Sequence, residues 1–248
     1  KDEDKTLVCE LGLDSNGNVF TYPVDSNKVI RNFPALKSMD LDGAVEIYEE
    51  PKRDSEGNVF MNRYYAGTDT YDDDKVVDTV SLGSIFIMDS WTRRIVAEYT
   101  GRRLTKDFYE ITRRLTMYYN AVNNYEQNKK GLFSYYEKMR SLYLLAETPK
   151  SLKDEAGSSI IRVGNRKYGT TTTTSVINYG INLILNWLLE DAYGEDSNVS
   201  NISKIKSKGL LEELIKYNPK HGNYDRIFSL IMLLILVEDR HRIISEQL

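Results

Sequence analysis

Between Arg63 and Gln127 the hydrophobic pattern turns from strand-like to helical and back, and this narrows the fold more than any other feature of the chain. "RYYAGTD" (Arg63 to Asp69), "TVSLGSIFIMD" (Thr79 to Asp89) and "RRIVAEYTG" (Arg93 to Gly101) are rich in β-branched and aromatic residues. The short polar connections "TYDDDKVVD" and "SWT" join them, so the three segments read as an antiparallel meander. "TKDFYEITRRLTMYYN" then places Phe108, Ile111, Leu115 and Tyr118/Tyr119 at helical spacing, with Thr105 as a candidate N-cap. "AVNNYEQN" follows as a short strand and "GLFSYYEKMRSLYLL" as a helix running into an apolar segment. Three more helices are expected, one from about Ser175 to Asp191, one in "ISKIKSKGLLEELIKYN" and one in "NYDRIFSLIMLLILVEDRHRII". The fold class is therefore α/β, with a mixed central sheet flanked by helices. Ahead of the meander, short apolar runs alternate with turns such as "DSNGN", and "GAVEIYEEP" has strand character that Pro51 ends.

Charge and cysteine content exclude several functions. The chain has 33 basic and 37 acidic residues, a net charge of -4, so overall charge does not advertise nucleic-acid binding and any such role rests on local patches. Cys9 is the single cysteine, which rules out an intramolecular disulfide and a cysteine metal cluster and suits a reducing setting. The apolar run after Asp225 is too short before its next charge to span a bilayer, so no membrane role is expected.

Four aspartates fall between Asp69 and Asp74, and carboxylates so crowded repel one another unless a cation sits among them. Two readings stand: a solvated hairpin connection, or a metal site. Asp69 ends its apolar run, so its side chain projects from the end of a central strand, and Ala66 and Gly67 leave room for a close approach. Glu126 ends the later strand and Asp225 opens the last helix, where the helix dipole favours an acid whatever its role. A strand paired beside the first brings Glu126 next to Asp69, and a helix packed on that sheet brings in Asp225. Three carboxylates on one site suit two hard divalent cations, Mg²⁺ or Mn²⁺, which serve phosphodiester hydrolysis. A calcium loop does not fit, because "DTYDDDK" lacks that loop's Gly and terminal Glu.

The linked segments "YYAGTDTYDDD", "SLGSIFIMDSWTRRIVAEYTGR", "FYEITRRLTMYYNAVNNYEQNKKGLFSYY" and "YGTTTTTSVINYGINLILNWL" resemble the nuclease domain of tailed-phage large terminase subunits, over about Gly43 to Glu238. The resemblance implies a ribonuclease H-like fold and a metal-dependent endodeoxyribonuclease that cuts concatemeric DNA with little sequence preference. It implies catalytic and metal-binding roles for Asp69, Glu126 and Asp225, with Asp73 as a further metal ligand and Asp72 and Asp74 as its close rivals. No "GxxxxGK[ST]" phosphate loop occurs, and "GNRKYGT" (Gly164 to Thr170) lacks its ending. Residues 1–55 are therefore expected to lead out of a missing ATPase domain and residues 56–248 to form the nuclease. The implied partners are double-stranded DNA, that ATPase domain, the portal and the small terminase subunit, and the implied location is the host bacterial cytoplasm. The same acids would also serve a resolvase or integrase-type enzyme, and the same domain would also suit a non-catalytic portal-docking module.

Phosphate contacts are expected from Lys129 and Lys130, just past Glu126, and from Arg162, Arg166 and Lys167 in a glycine-punctuated loop. "KIKSK" (Lys204 to Lys208) is a further basic patch, while Arg113 and Arg114 are expected on a helix surface. Trp187 reads as core and His221 as a turn residue.

Overall fold

A computed structural model describes residues 6–36, 38–71, 81–150, 152, 167–191, 199–220 and 222–245. Strands β1 (Leu7–Leu13), β2 (Val19–Pro23) and β3 (Val45–Ile47) precede the expected meander, which forms as β4 (Tyr64–Asp69), β5 (Gly83–Asp89) and β6 (Arg94–Gly101). Helix α1 (Thr105–Tyr118) carries the chain to β7 (Val122–Tyr125), and α2 (Gly131–Lys138), α3 (Thr174–Leu189), α4 (Lys208–Lys216) and α5 (Asp225–Ser245) follow. One seven-stranded sheet has the order β2-β1-β3-β6-β5-β4-β7. Its pairings are antiparallel except that of β4 with β7, which is parallel. Three antiparallel strands, a crossover helix and a fourth strand laid parallel to the first make the ribonuclease H-like arrangement. The pairing of β3 with β6 continues the sheet beyond it, and β1 and β2 complete that edge.

The central strands are apolar on both faces because helices cover both. On β5, Ile85 and Ile87 point into one core with Phe108 and Leu115 of α1 and Tyr136 of α2. Phe86 and Met88 point into the other, with Trp187 of α3, Leu210 of α4 and the middle of α5. Residues Leu230 to Val237 of α5 are each no more than 2% exposed. A helix buried all round needs apolar residues all round, and α5 has them because it lies between the sheet and the α3 and α4 layer. Burying each such Leu or Ile contributes about 1.5–3 kcal/mol relative to exposure. Among the described residues, no helix is long and apolar enough to cross a membrane.

Two local expectations are corrected. Thr105 is already helical; Leu104 is the N-cap, its carbonyl accepts from the Asp107 and Phe108 amides, and Asp107 supplies the first-turn carboxylate. Arg113 is buried, not on the surface, because its guanidinium grips the Glu110 carboxylate at 2.7 and 2.8 Å.

Candidate active site

Side chains along β4 alternate between faces, so Gly67 and Asp69 share the face covered by α5. Gly67 is where the helix touches the sheet: a Cβ there would lie 2.2 Å from the Leu233 amide nitrogen and 2.4 Å from the Ser229 carbonyl oxygen. Ser229 Oγ donates to the Gly67 carbonyl at 2.7 Å, and Asn124 Nδ2 of β7 donates to the Met232 carbonyl at 2.8 Å. Docked this way, α5 presents its first residue, Asp225, near the end of β4.

Two sets of hydrogen bonds hold that helix start. Glu213 of α4, 1% exposed, accepts from the Arg226 and Ile227 amides at 3.0 and 3.2 Å, satisfying donors that a first helical turn leaves open. The Arg226 guanidinium pairs with the same carboxylate at 3.2 Å and also donates to the Ile30 carbonyl. Asp225 itself accepts from the Leu82 amide at 3.0 Å, from Ser81 Oγ at 3.3 Å and from Asn223 Nδ2 at 3.0 and 3.2 Å.

Glu126 arrives from the other side. The parallel register sets Thr68 of β4 against Tyr125 of β7, and the Glu126 amide donates to the Thr68 carbonyl at 3.2 Å. The threonine run continues this edge: Thr170 bridges Glu126, the Gln127 amide donates to the Thr170 carbonyl at 2.8 Å, and Thr172 Oγ1 donates to Glu126 Oε1. Asn128 Nδ2 in turn donates to the Thr172 hydroxyl and carbonyl.

Between the two acids sits Lys129. Its Nζ lies 3.4 Å from Asp69 Oδ1 and 3.0 Å from Glu126 Oε2, and it donates to the Thr70 carbonyl. Burial raises the Asp69 pKa well above the usual carboxylate range; the Lys129 charge opposes this, while Asp225 and Glu126 add to it. Burial likewise pushes Asp225 up to about 6, against the Leu82 hydrogen bond and the Lys129 charge. For Lys129, burial works against the ammonium, but Asp69 and Glu126 more than offset this and hold its pKa above the ordinary value. Lys129 thus opposes the rise at both Asp69 and Asp225, and Asp225 and Glu126 act together on Asp69.

The donor chemistry suits a hard divalent cation, since Asp69, Glu126 and Asp225 offer carboxylate oxygens and Thr70 a carbonyl. The Thr70 hydroxyl is also buried with no hydrogen-bond partner among the described residues. Among those residues, no three acidic, His or Cys side chains stand ready-made around one ion. Instead, the ammonium of Lys129 holds the position between two of the acids.

Asp72, Asp73 and Asp74 lie outside the described residues, as do Arg162, Arg166 and His221. Lys130 is exposed, and Lys167 is exposed while its Nζ pairs with Glu147 at 2.7 Å. Lys129, expected with them on a phosphate-facing surface, points inward to the acids. Sequence reasoning missed this inward role, together with Thr172, Ser81 and Glu213. The visible signals were a lysine three residues after Glu126 and an unexplained threonine run.

No family model matches the chain, and no curated protein matches it. Among solved structures, the large terminase nuclease from thermophilic phage G20c is similar at 12% identity and a TM-score of 0.43. That similarity covers 79% of this chain and 91% of the other. So distant a likeness carries no residue roles across.

Proposed function

We propose that the chain is a metal-dependent endodeoxyribonuclease domain of the phage large terminase kind, cutting concatemeric DNA during genome packaging by phosphodiester hydrolysis. The observation that carries this reading is that Asp69 and Glu126 come from two adjacent strands to within 3.4 and 3.0 Å of one ammonium, while the buried Asp225 at the start of α5 lies near enough to act on Asp69.

Asp69, Glu126 and Asp225 would hold Mg²⁺ or Mn²⁺, with Asp73 as a further candidate ligand outside the described residues. When bound, a pair of such ions supplies charge stabilisation at the scissile phosphate and a nucleophilic water at neutral pH. The chain's own groups do the positioning. The Leu82 amide, Ser81 and Asn223 orient the Asp225 carboxylate, and Thr172 orients Glu126. The packing of α5 on β4 keeps bulk water from Asp69, which is 6% exposed, and so strengthens every electrostatic interaction there.

Lys130 and Lys167 would contact the DNA backbone, joined by Arg162 and Arg166, without reading base sequence. On this reading an ATPase domain of a longer, full-length chain, the portal and the small terminase subunit are partners, and the host bacterial cytoplasm is the location.

Cleavage of supercoiled plasmid tests the proposal, with Mg²⁺, Mn²⁺ or EDTA and with Asp69→Asn alongside. Metal-dependent nicking and linearisation, abolished by EDTA and by the substitution in a folded protein, is the expected result. A folded protein that cuts with neither metal would overturn the nuclease reading and leave the portal-docking one.

A further inference from the structure

We propose that Lys129 is a built-in counter-ion of this site, holding the place of a divalent cation between Asp69 and Glu126 and giving it up when the cation enters. The inference rests on the metal-dependent reading above and adds how the site fills.

The ammonium has three protons, and three oxygens meet it: Asp69 Oδ1 at 3.4 Å, Glu126 Oε2 at 3.0 Å and the Thr70 carbonyl. Carboxylate and carbonyl oxygens are also what a hard divalent cation takes. The lysine therefore meets the ligands that the ion would need, and the two cations cannot share them. Without any cation, Asp69 would be a buried carboxylate beside two others, which is strongly unfavourable. Lys129 relieves that in the metal-free protein.

The side chain also has a way out. Lys129 lies in the short connection between β7 and α2, its side chain is 34% exposed, and its neighbours Asn128 and Lys130 are exposed. Swinging a flexible lysine stem outward needs only side-chain rotations, where the planar fork of an arginine would be held in place. Neither the opposing Glu126 nor Asp69 needs to move with it, because the Glu126 amide and Thr172 hold the one and the sheet holds the other.

Mn²⁺ binding to the intact chain, followed by electron paramagnetic resonance, tests the exchange in wild type and in Lys129→Met. Removal of the competing ammonium should tighten Mn²⁺ binding on the order of tenfold. In EDTA the variant should melt below wild type, and saturating Mn²⁺ should raise its Tm by more than it raises the wild-type value. Binding that is equal or weaker in Lys129→Met, with wild type still binding, overturns the exchange and leaves the metal site standing. Absence of Mn²⁺ binding in both proteins overturns the metal reading and the exchange with it. Should the variant not fold, the wild-type lysine ammonium resonance in ¹⁵N spectra, assigned with Lys129→Arg, decides the matter. It should be protected in EDTA and move to a solvent-exposed position with Mg²⁺; an unchanged resonance at saturating Mg²⁺ refutes the proposal.

Discussion

Substituting Gly67 with alanine tests whether close packing of α5 on the sheet builds the site. The added Cβ would lie 2.2 Å from the Leu233 nitrogen, 2.4 Å from the Ser229 oxygen and 2.5 Å from Leu233 Cβ. An ordinary contact needs about 3.4 Å, so the overlap is just over 1 Å, and two of the three atoms are backbone. No rotamer relieves it; α5 must back away from β4. The retreat strains the bond from Ser229 to the Gly67 carbonyl and that from Asn124 to the Met232 carbonyl, both buried. Overpacking costs about 1–3 kcal/mol, and leaving a buried partner unsatisfied costs about 1–3 kcal/mol more. Together these give a loss on the order of 4 kcal/mol, or a fall in Tm on the order of 10 °C for a chain of this length. Urea unfolding and thermal melts measure it. Gly17→Ala serves as the comparison, because its added Cβ meets nothing within 4 Å and only its positive φ of 82° is costly. That change should cost about 1 kcal/mol. A Gly67→Ala protein that melts within 2 °C of wild type (roughly 1 kcal/mol or less) would refute the packing argument.

Two further expectations follow from buried charge. Glu213→Ala removes the carboxylate that caps α5 and leaves Arg226, 1% exposed, without its charge partner. The expected loss is about 3–5 kcal/mol in urea unfolding, partly restored by combining Glu213→Leu with Arg226→Met; no loss from the single change would sink the capping argument. Burial and the facing Glu98 raise Glu46 to about 7 from its ordinary 4.5, so the folded protein keeps a proton that the unfolded chain has released. Stability from this group is full below about pH 4.5 and is lost as pH rises to 7, by about 3 kcal/mol in all, of which about 2 kcal/mol falls between pH 5.5 and 8. Burial raises Glu213 to about 7 as well, with the same sign. Melts in EDTA should therefore show a higher Tm at pH 5.5 than at pH 8, with a smaller difference in Glu46→Gln, and a reversed order would contradict it.

Local pattern determined much of this protein. The apolar runs that end at Asp69, Asp89 and Gly101 are strands because β-branched and aromatic residues suit a sheet covered on both faces, and the spacing of Phe108, Ile111 and Leu115 makes α1. Such signals reach only a few residues along the chain, which is why Asp69, Glu126 and Asp225 were legible as ends of elements and their surroundings were not. Helical spacing marks the last helix but does not say which residue it crosses on the sheet, and Gly67 decides that by permitting backbone contact. Ser81 and Asp225 meet across 144 residues, and Lys129 and Asp69 across 60. A lysine near an acid reads the same in sequence whether it faces solvent or fills a site. Only the parallel pairing of β4 with β7, which sets Glu126 beside Asp69, made Lys129 the cation between them.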